Sequence, residues 1–302
     1  MKYNKNKVWG QYFKEYAERT ESTLMAIIKL GEYLYLGRYF NEPILWRCVD
    51  IEKENGSLML SDKIICFKLF AYAGNCPCMF SESVREAYGS NVWKDADIRF
   101  WLNGIDQPII IKERQNDCLR NNPIMLEKGF LSDGNFTASE RTVIKKVTQK
   151  SILNEMDEHL AGTEPHQYDE GNDKIWNAVA NYDTAYSHDI TDRMFLLDVK
   201  QLYRVYQNFG NYYRAIPTQK AVDNKNDKAE DIAGKYCDYW LRTPLSDFDL
   251  SYLTRCVTTE GDVEDWGVET EIGIRPAFFI DLTNSDFVLG DGSTEKPYII
   301  QQ

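Results

Sequence analysis

The chain has 302 residues, 43% of them hydrophobic and 13% aromatic, which gives length for one large or two small domains and the composition of a folded globule rather than a disordered chain. Its 35 Lys and Arg stand against 47 Asp and Glu, a net charge of −12 with no compact basic patch, which argues against nucleic acid as a partner. No stretch approaches the roughly 20 apolar residues that span a bilayer, so no membrane insertion is expected.

In chain order, Val8, Trp9, Tyr12, Phe13 and Tyr16 recur at helical spacing and predict an amphipathic helix within residues 1–29, packed on the main body or on a partner. The same segment opens basic but lacks an apolar h-region, which predicts a cytoplasmic protein; an extracellular place stays open if a signal was removed ahead of Met1. Leu30 to Tyr39 and Pro43 to Asp50 read as strands, and Asn55-Gly56 supplies a hairpin turn into Ser57 to Leu60, so a three-stranded antiparallel meander is expected. Lys94 to Asn103, acidic at its start and closed by Asn103-Gly104, predicts a short helix. Thr137-Ala138-Ser139-Glu140 has the form of a capping box ahead of Arg141 to Val147. Residues 155–190 are polar and rich in turn formers and predict a long surface excursion.

Met194 to Leu197 reads as a buried strand, and Asp198 as the cap of a helix carrying Leu202, Val205, Tyr206 and Phe209 on one face and ending at Gly210. Residues 219–235 are charged and expected to be exposed. Tyr236 to Pro244 is an aromatic strand, and an acidic, aromatic excursion separates it from Gly273-Ile274-Arg275-Pro276-Ala277. Short strands and short helices alternate without a regular βαβ rhythm. The expected class is therefore α+β, a single domain with mainly antiparallel sheet over residues 30–285, followed by a tail strand within 286–302.

Seven cysteines (Cys48, Cys66, Cys76, Cys78, Cys118, Cys237 and Cys256) are an odd number, several inside apolar runs, and suit reduced, buried thiols better than a disulfide framework.

Six segments in order carry a resemblance: Gly37-Arg38-Tyr39 with Pro43 to Arg47; Ile98 to Gly104; Ser139-Glu140-Arg141; Thr191 to Leu197; Tyr239 to Pro244; and Gly273 to Ala277. Together, over roughly residues 30–282, they resemble the bacterial domain-of-unknown-function family six-two-seven-three, common in gut Firmicutes. The chain departs from that pattern in its N-terminal helix and in its long 105–135 and 155–190 segments. A weaker likeness concerns the fold. A Trp-bearing strand, a variable excursion and a closing Ile274-Arg275-Pro276 strand resemble the C-terminal half of C-type-lectin-like domains, as in formylglycine-generating enzymes and retroelement variable proteins. That likeness implies a C-type-lectin-like core with helical insertions, and fold alone does not transfer function.

Asp247, Phe248, Asp249, Tyr252, Asp262, Glu264, Asp265 and Trp266 are the candidate ligand-binding residues: acids able to hold Ca²⁺, aromatics able to stack on a sugar or peptide. The competing reading is an ordinary solvated acidic loop, and the Glu-Pro-Asn, Gln-Pro-Asp and Trp-Asn-Asp calcium signatures of lectins do not occur. Trp240, Arg242 and Arg275 are expected to hold the frame, the two arginines by capping carbonyls or pairing with a buried acid rather than by clamping a carboxylate ligand. An oxidase of the formylglycine-generating type would need Cys237 and Cys256 side by side. Cys76-Pro77-Cys78 offers only two soft ligands where zinc sites want four. His159, His166 and His188 lack metal-site spacing, and no nucleophile elbow, P-loop or dinucleotide fingerprint is present.

The sequence thus predicts a non-catalytic recognition module for a protein, peptide or glycan, contacting it through residues 245–270, with no cofactor and no metal. A thiol- or metal-dependent enzyme on the same scaffold and a structural scaffolding domain are the alternatives.

Overall fold

A computed structural model describes residues 28–72, 83–106, 128–154, 157, 174–179, 187–225, 231–245, 247–283 and 288–300. The amphipathic pattern of residues 8–21, Cys76, Cys78, Cys118, His159 and His166 lie outside them.

The expected meander forms. Strands β1 (Tyr33–Tyr39), β2 (Glu42–Glu52) and β3 (Gly56–Ser61) pair antiparallel. The tight turn between the first two is Phe40-Asn41, both at positive φ, which matches the twist of a two-residue hairpin. Alternation in β1 and β2 buries Leu34, Leu36, Ile44 and Trp46, whereas β3 is buried along nearly its whole length. Strand β4 (Cys66–Lys68) follows.

Helix α1 (Ser83–Tyr88) precedes a 3-10 turn at Trp93–Asp95 and helix α2 (Asp97–Asn103), so the expected helix at 94–103 is broken at Ala96. Thr137 and Glu140 make the capping box, each side chain accepting the other's backbone N–H (2.7 and 3.2 Å). Helix α3 (Ala138–Thr142) nevertheless stops after five residues. Val143 and Ile144 are buried, and the chain turns into strand β5 (Val147–Ile152) instead of continuing as a helix to Val147.

Helix α4 (Ile175–Ala178) and strand β6 (Ser187–Asp192) fall in the stretch read as an excursion. The β6 strand pairs antiparallel with β5 over six residue pairs, a register that includes Thr148 opposite Thr191, with their hydroxyls 2.8 Å apart. Met194 to Leu197 is buried as expected but forms no ladder; its one bridge joins Phe195 to Ala277. The carbonyl of Leu196 accepts from the Arg242 guanidinium and that of Leu197 from the Arg242 backbone N–H, so side-chain and single backbone bonds replace strand pairing. Asp198 and Gln201 cap helix α5 (Val199–Phe209), which buries Leu202 and Val205 and ends at Gly210 with φ of 57°. Helix α6 (Gln219–Asp223) follows.

Strand β7 (Tyr239–Pro244) is fully buried, and after it come β8 (Leu253–Val257), β9 (Val263–Gly267), β10 (Ile272–Ile274), β11 (Ala277–Phe279), β12 (Val288–Leu289) and β13 (Tyr298–Ile300). A five-stranded sheet runs β4-β10-β7-β8-β9 and a six-stranded one β11-β3-β2-β1-β13-β12; β5 and β6 stand as a pair. Pairing is mainly antiparallel; the exceptions include β1 with β13 and β7 with β10. The class is α+β.

Only Arg275-Pro276 separates β10 in one sheet from β11 in the other. Just before it, Gly273 lies where an added Cβ would sit 2.7 Å from the Asp238 carbonyl and 2.8 Å from Ile64, so a side chain there would push β7 and β10 apart. Trp46 packs edge-on against Phe278 (4.8 Å) inside the six-stranded sheet, and Trp240 against Phe70 (5.7 Å) inside the five-stranded one.

Candidate functional site

The candidate segment 245–270 is built around the β8–β9 hairpin at one edge of the five-stranded sheet. Its acids and aromatics do not form one cluster. Asp247 caps a 3-10 turn at Phe248–Leu250 by accepting the Asp249 N–H (2.9 Å), and its carbonyl accepts from Asn154 (2.7 Å). Asp249 is exposed, and the Tyr252 ring rests 5.0 Å from Tyr88. Asp262 closes the opposite turn, its backbone N–H on the Thr258 hydroxyl and its carboxylate paired with Lys174. In the register of the hairpin Glu264 faces Cys256, Asp265 faces Arg255 (4.0 Å between carboxylate and guanidinium), and Trp266 faces Thr254. Among the described residues no group of three or more His, Cys, Asp or Glu is arranged to hold a metal ion.

Trp240, Arg242 and Arg275 are buried. Trp240 donates its indole N–H to the Lys68 carbonyl (3.0 Å). Arg242 donates to the Leu196 carbonyl (2.6 Å) and Gln201 (2.7 Å) and pairs with Asp198 (2.6 Å), joining β7 to the start of α5. Arg275 donates to the carbonyls of Ser61 (3.0 Å), Tyr212 (3.1 Å) and Tyr213 (2.9 Å), and its guanidinium lies 4.8 Å from the Tyr212 ring centroid. Burial alone would lower its pKa, but Tyr212, Tyr239 and the Asp62 carboxylate together hold it above the ordinary arginine value.

Cys237 and Cys256 are buried thiols, neither of them in a disulfide. Cys256 pairs with Trp240, so Cys237 lies three residues further along, roughly 10 Å at about 3.4 Å per residue, beyond disulfide reach. Burial pushes the Cys256 thiol well above its usual value and that of Cys48 up to about 12, so neither supplies a thiolate near neutral pH.

A groove of about 530 Å³ opens beside the entry of β7. Tyr236, Cys237 and Asp238 line one side, Phe67, Glu271 and Ile272 another, and Thr259 stands at the hairpin turn. Lys225, Asp231, Ile232 and Lys235 complete it, so three carboxylates and two ammonium groups share the walls. Asp238 is the fixed acceptor: one carboxylate oxygen takes the Thr259 N–H (2.8 Å) and the other the Trp266 indole N–H (3.1 Å). Trp266 reaches it from β9, with β8 between them in the sheet, and keeps 42% of its surface exposed. Tyr236, equally exposed at 42%, lies 4.0 Å under the Arg214 guanidinium, which itself donates to the Thr259 carbonyl.

Of the residues singled out from sequence, Trp266 thus touches this groove through Asp238, while Asp247, Asp249 and Tyr252 are held by other partners. Tyr236 and Asp238 were not singled out. Their signal was present: in Tyr236-Cys237-Asp238-Tyr239 the first and third residues face outward and the second and fourth are buried, the period of a strand with one wet face.

A family model described as a domain of unknown function (DUF6273) matches residues 55–282, well over half of the chain. No curated protein and no solved structure matches it.

Proposed function

The chain belongs to the DUF6273 family, and from that premise we propose that it is a non-catalytic recognition module that binds a glycan in the groove beside β7. The observation that carries this reading is the pair Tyr236 and Trp266, two half-exposed rings each held by its own partner, the first under the Arg214 guanidinium and the second by its indole N–H on Asp238. A lone exposed aromatic carries no such meaning. Rings fixed outward by a guanidinium and a carboxylate lose little freedom when a flat apolar face of a sugar settles on them. Acids, ammonium groups and the Thr259 hydroxyl around them offer acceptors and donors to sugar hydroxyls, and the charges nearly cancel, which suits a neutral ligand.

The contacts expected across 245–270 narrow under this reading to its Thr259 and Trp266 portion, joined by residues just ahead of β7. A C-type-lectin-like core accords with the order of Trp-bearing strand, hairpin and closing Ile274-Arg275-Pro276 segment, and that likeness transfers no ligand by itself. Thiol catalysis finds no support in buried, protonated Cys256.

The test is a glycan array probed with the whole chain, followed by fluorescence titration of any hit. Tyr236→Ala and Trp266→Ala should each weaken binding by about tenfold, the loss of roughly 1.4 kcal/mol of contact, with the melting temperature kept. An array without hits, or hits that both variants bind as well as the parent does, would sink the reading.

A further inference from the structure

The surface carries a local excess of positive charge at a second cavity, distinct from that groove. A cavity of about 440 Å³ between α2 and the end of β6 is lined by Arg99, Lys146 and Arg193 with a single acid, Asp192, and by Phe100. It shares no lining residue with the groove beside β7. In a chain of net charge −12, three cations to one carboxylate is a local excess of positive charge.

The acid offsets one cation only: one of its oxygens pairs with Arg99 Nε (2.8 Å) and the other accepts from the Trp93 indole (3.0 Å), which leaves Arg193 and Lys146 without a carboxylate among the lining residues. Both guanidiniums are tethered through part of their fork only. Arg99 adds a bond from Nη1 to the Lys94 carbonyl (2.7 Å), and Arg193 donates Nη1 to the Ile144 carbonyl (2.7 Å). Asn103 fixes the backbone that carries Arg193, its side-chain oxygen accepting the N–H of Arg193 (2.8 Å) and of Met194 (3.2 Å). Arg99 Nη2, Arg193 Nε and Nη2 and the exposed Lys146 ammonium have no hydrogen-bond partner among the described residues. Donors that are positioned and unspent, in a cavity of ligand size, are what oxyanion recognition needs. Beside them the Phe100 ring is 44% exposed, 5.6 Å from the Arg99 guanidinium.

We propose that this cavity is a binding site for a small organic oxyanion, a phosphate monoester or carboxylate, held by Arg99, Arg193 and Lys146 with its apolar part against Phe100. Phosphate and carboxylate share the planar or trigonal array of acceptor oxygens that a guanidinium fork matches. Lys146 adds a compact point charge on a long, exposed stem.

The experiment titrates the whole ¹⁵N-labelled chain with phenyl phosphate, inorganic phosphate and benzoate, with phenol as the uncharged control. Saturable shifts at the amides of Arg99, Phe100, Lys146 and Arg193, absent with phenol, are expected. Because Lys146 is exposed and makes no bond to the described residues, Lys146→Gln and Lys146→Glu should keep the parent melting temperature. Affinity should fall about threefold in the first and at least about tenfold in the second, and should weaken as salt rises. Preference for phenyl phosphate over benzoate would assign the phosphate class, and the reverse the carboxylate class. The proposal is overturned by the absence of saturable binding up to about 10 mM, by phenol binding as well as phenyl phosphate, or by Lys146→Glu binding like the parent.

Discussion

The two ends of the β8–β9 hairpin are alike in sequence, both acidic and polar, and are built in opposite ways. At the end bounded by Leu245 and Leu253, buried side chains from far along the chain seize the backbone. Asn91 donates to the carbonyls of Leu245 (3.2 Å) and Leu253 (2.8 Å), Asn154 to those of Leu245 (2.8 Å) and Asp247 (2.7 Å), and Arg85 to that of Ser251 (3.3 Å). Arg85 is itself clamped by both oxygens of Asp157 (2.6 and 2.8 Å). The Thr258 to Asp262 end is closed by its own backbone, Thr258 N–H to the Asp262 carbonyl at 2.8 Å, and braced by Tyr213, whose hydroxyl donates to the Gly261 carbonyl (2.7 Å). One end is a buried clamp and the other a surface turn beside an open groove. Of the two ends, the second is the one that borders the groove, through Thr259.

The largest effect that tests this contrast is Arg85→Ala. It strands the Asp157 carboxylate in a buried site and releases Ser251 and Asn91, so a loss of about 3–5 kcal/mol in chemical denaturation is expected. A loss below about 1 kcal/mol would mean that the clamp is not buried in solution.

At the turn the weak point is Gly261, with φ of +90° and space for a Cβ only 2.5 Å from the Tyr213 hydroxyl. Gly261→Ala should lower stability by about 1–3 kcal/mol, combining backbone strain with loss of the Tyr213 bond. It should also disturb Thr259, two residues away on the wall of the groove, and so weaken ligand binding, which Arg85→Ala should not do in the fraction that stays folded. Smaller again is Tyr236→Ala with Trp266→Ala. Both rings are half-exposed, and the double variant should shift stability by no more than about 0.5 kcal/mol while binding weakens by about a hundredfold. A large stability loss there would reassign the rings to the frame.

Much of the scaffold could be read from local signals. The Asn55-Gly56 hairpin, the Thr137 to Glu140 capping box and the Asp198-capped helix each rest on residues within four positions of one another, and each forms. What failed to show depends on contacts across the chain. Met194 to Leu197 has the apolar run of a strand, yet its carbonyls are taken by Arg242, more than forty residues later. Ser187 to Asp192 has no apolar alternation, and its strand exists because β5 offers a partner edge. The clamp on Ser251 comes from Arg85, 166 residues away, and no local pattern announces it. Likewise Trp266 was legible as an exposed aromatic, but its link to Asp238 joins strands that are not adjacent in sequence.

The smallest expected effect lies in pH, at His188 on β6. Its Nε2 is buried and finds no hydrogen-bond partner among the described residues. Burial lowers its pKa, Lys94 and Arg99 lower it further, and Asp157 and Asp189 oppose them. The folded state thus resists the proton that the unfolded chain takes up near the ordinary value of about 6.5. Below that pH the unfolded state binds more protons, so stability falls as pH falls through it toward the lower folded value. Asp95 and Asp192 work in a different window. Burial raises both, so their contribution is complete below the ordinary aspartate range and is lost as pH rises through their folded values. Melting curves between pH 7.5 and 5.5 should therefore show a downward drift that is flatter in His188→Gln. Lys94→Gln removes an exposed cation that helps hold the imidazole neutral, so its drift should begin at the same pH and end sooner. Equal drift in all three proteins would place the titrating group elsewhere than β6.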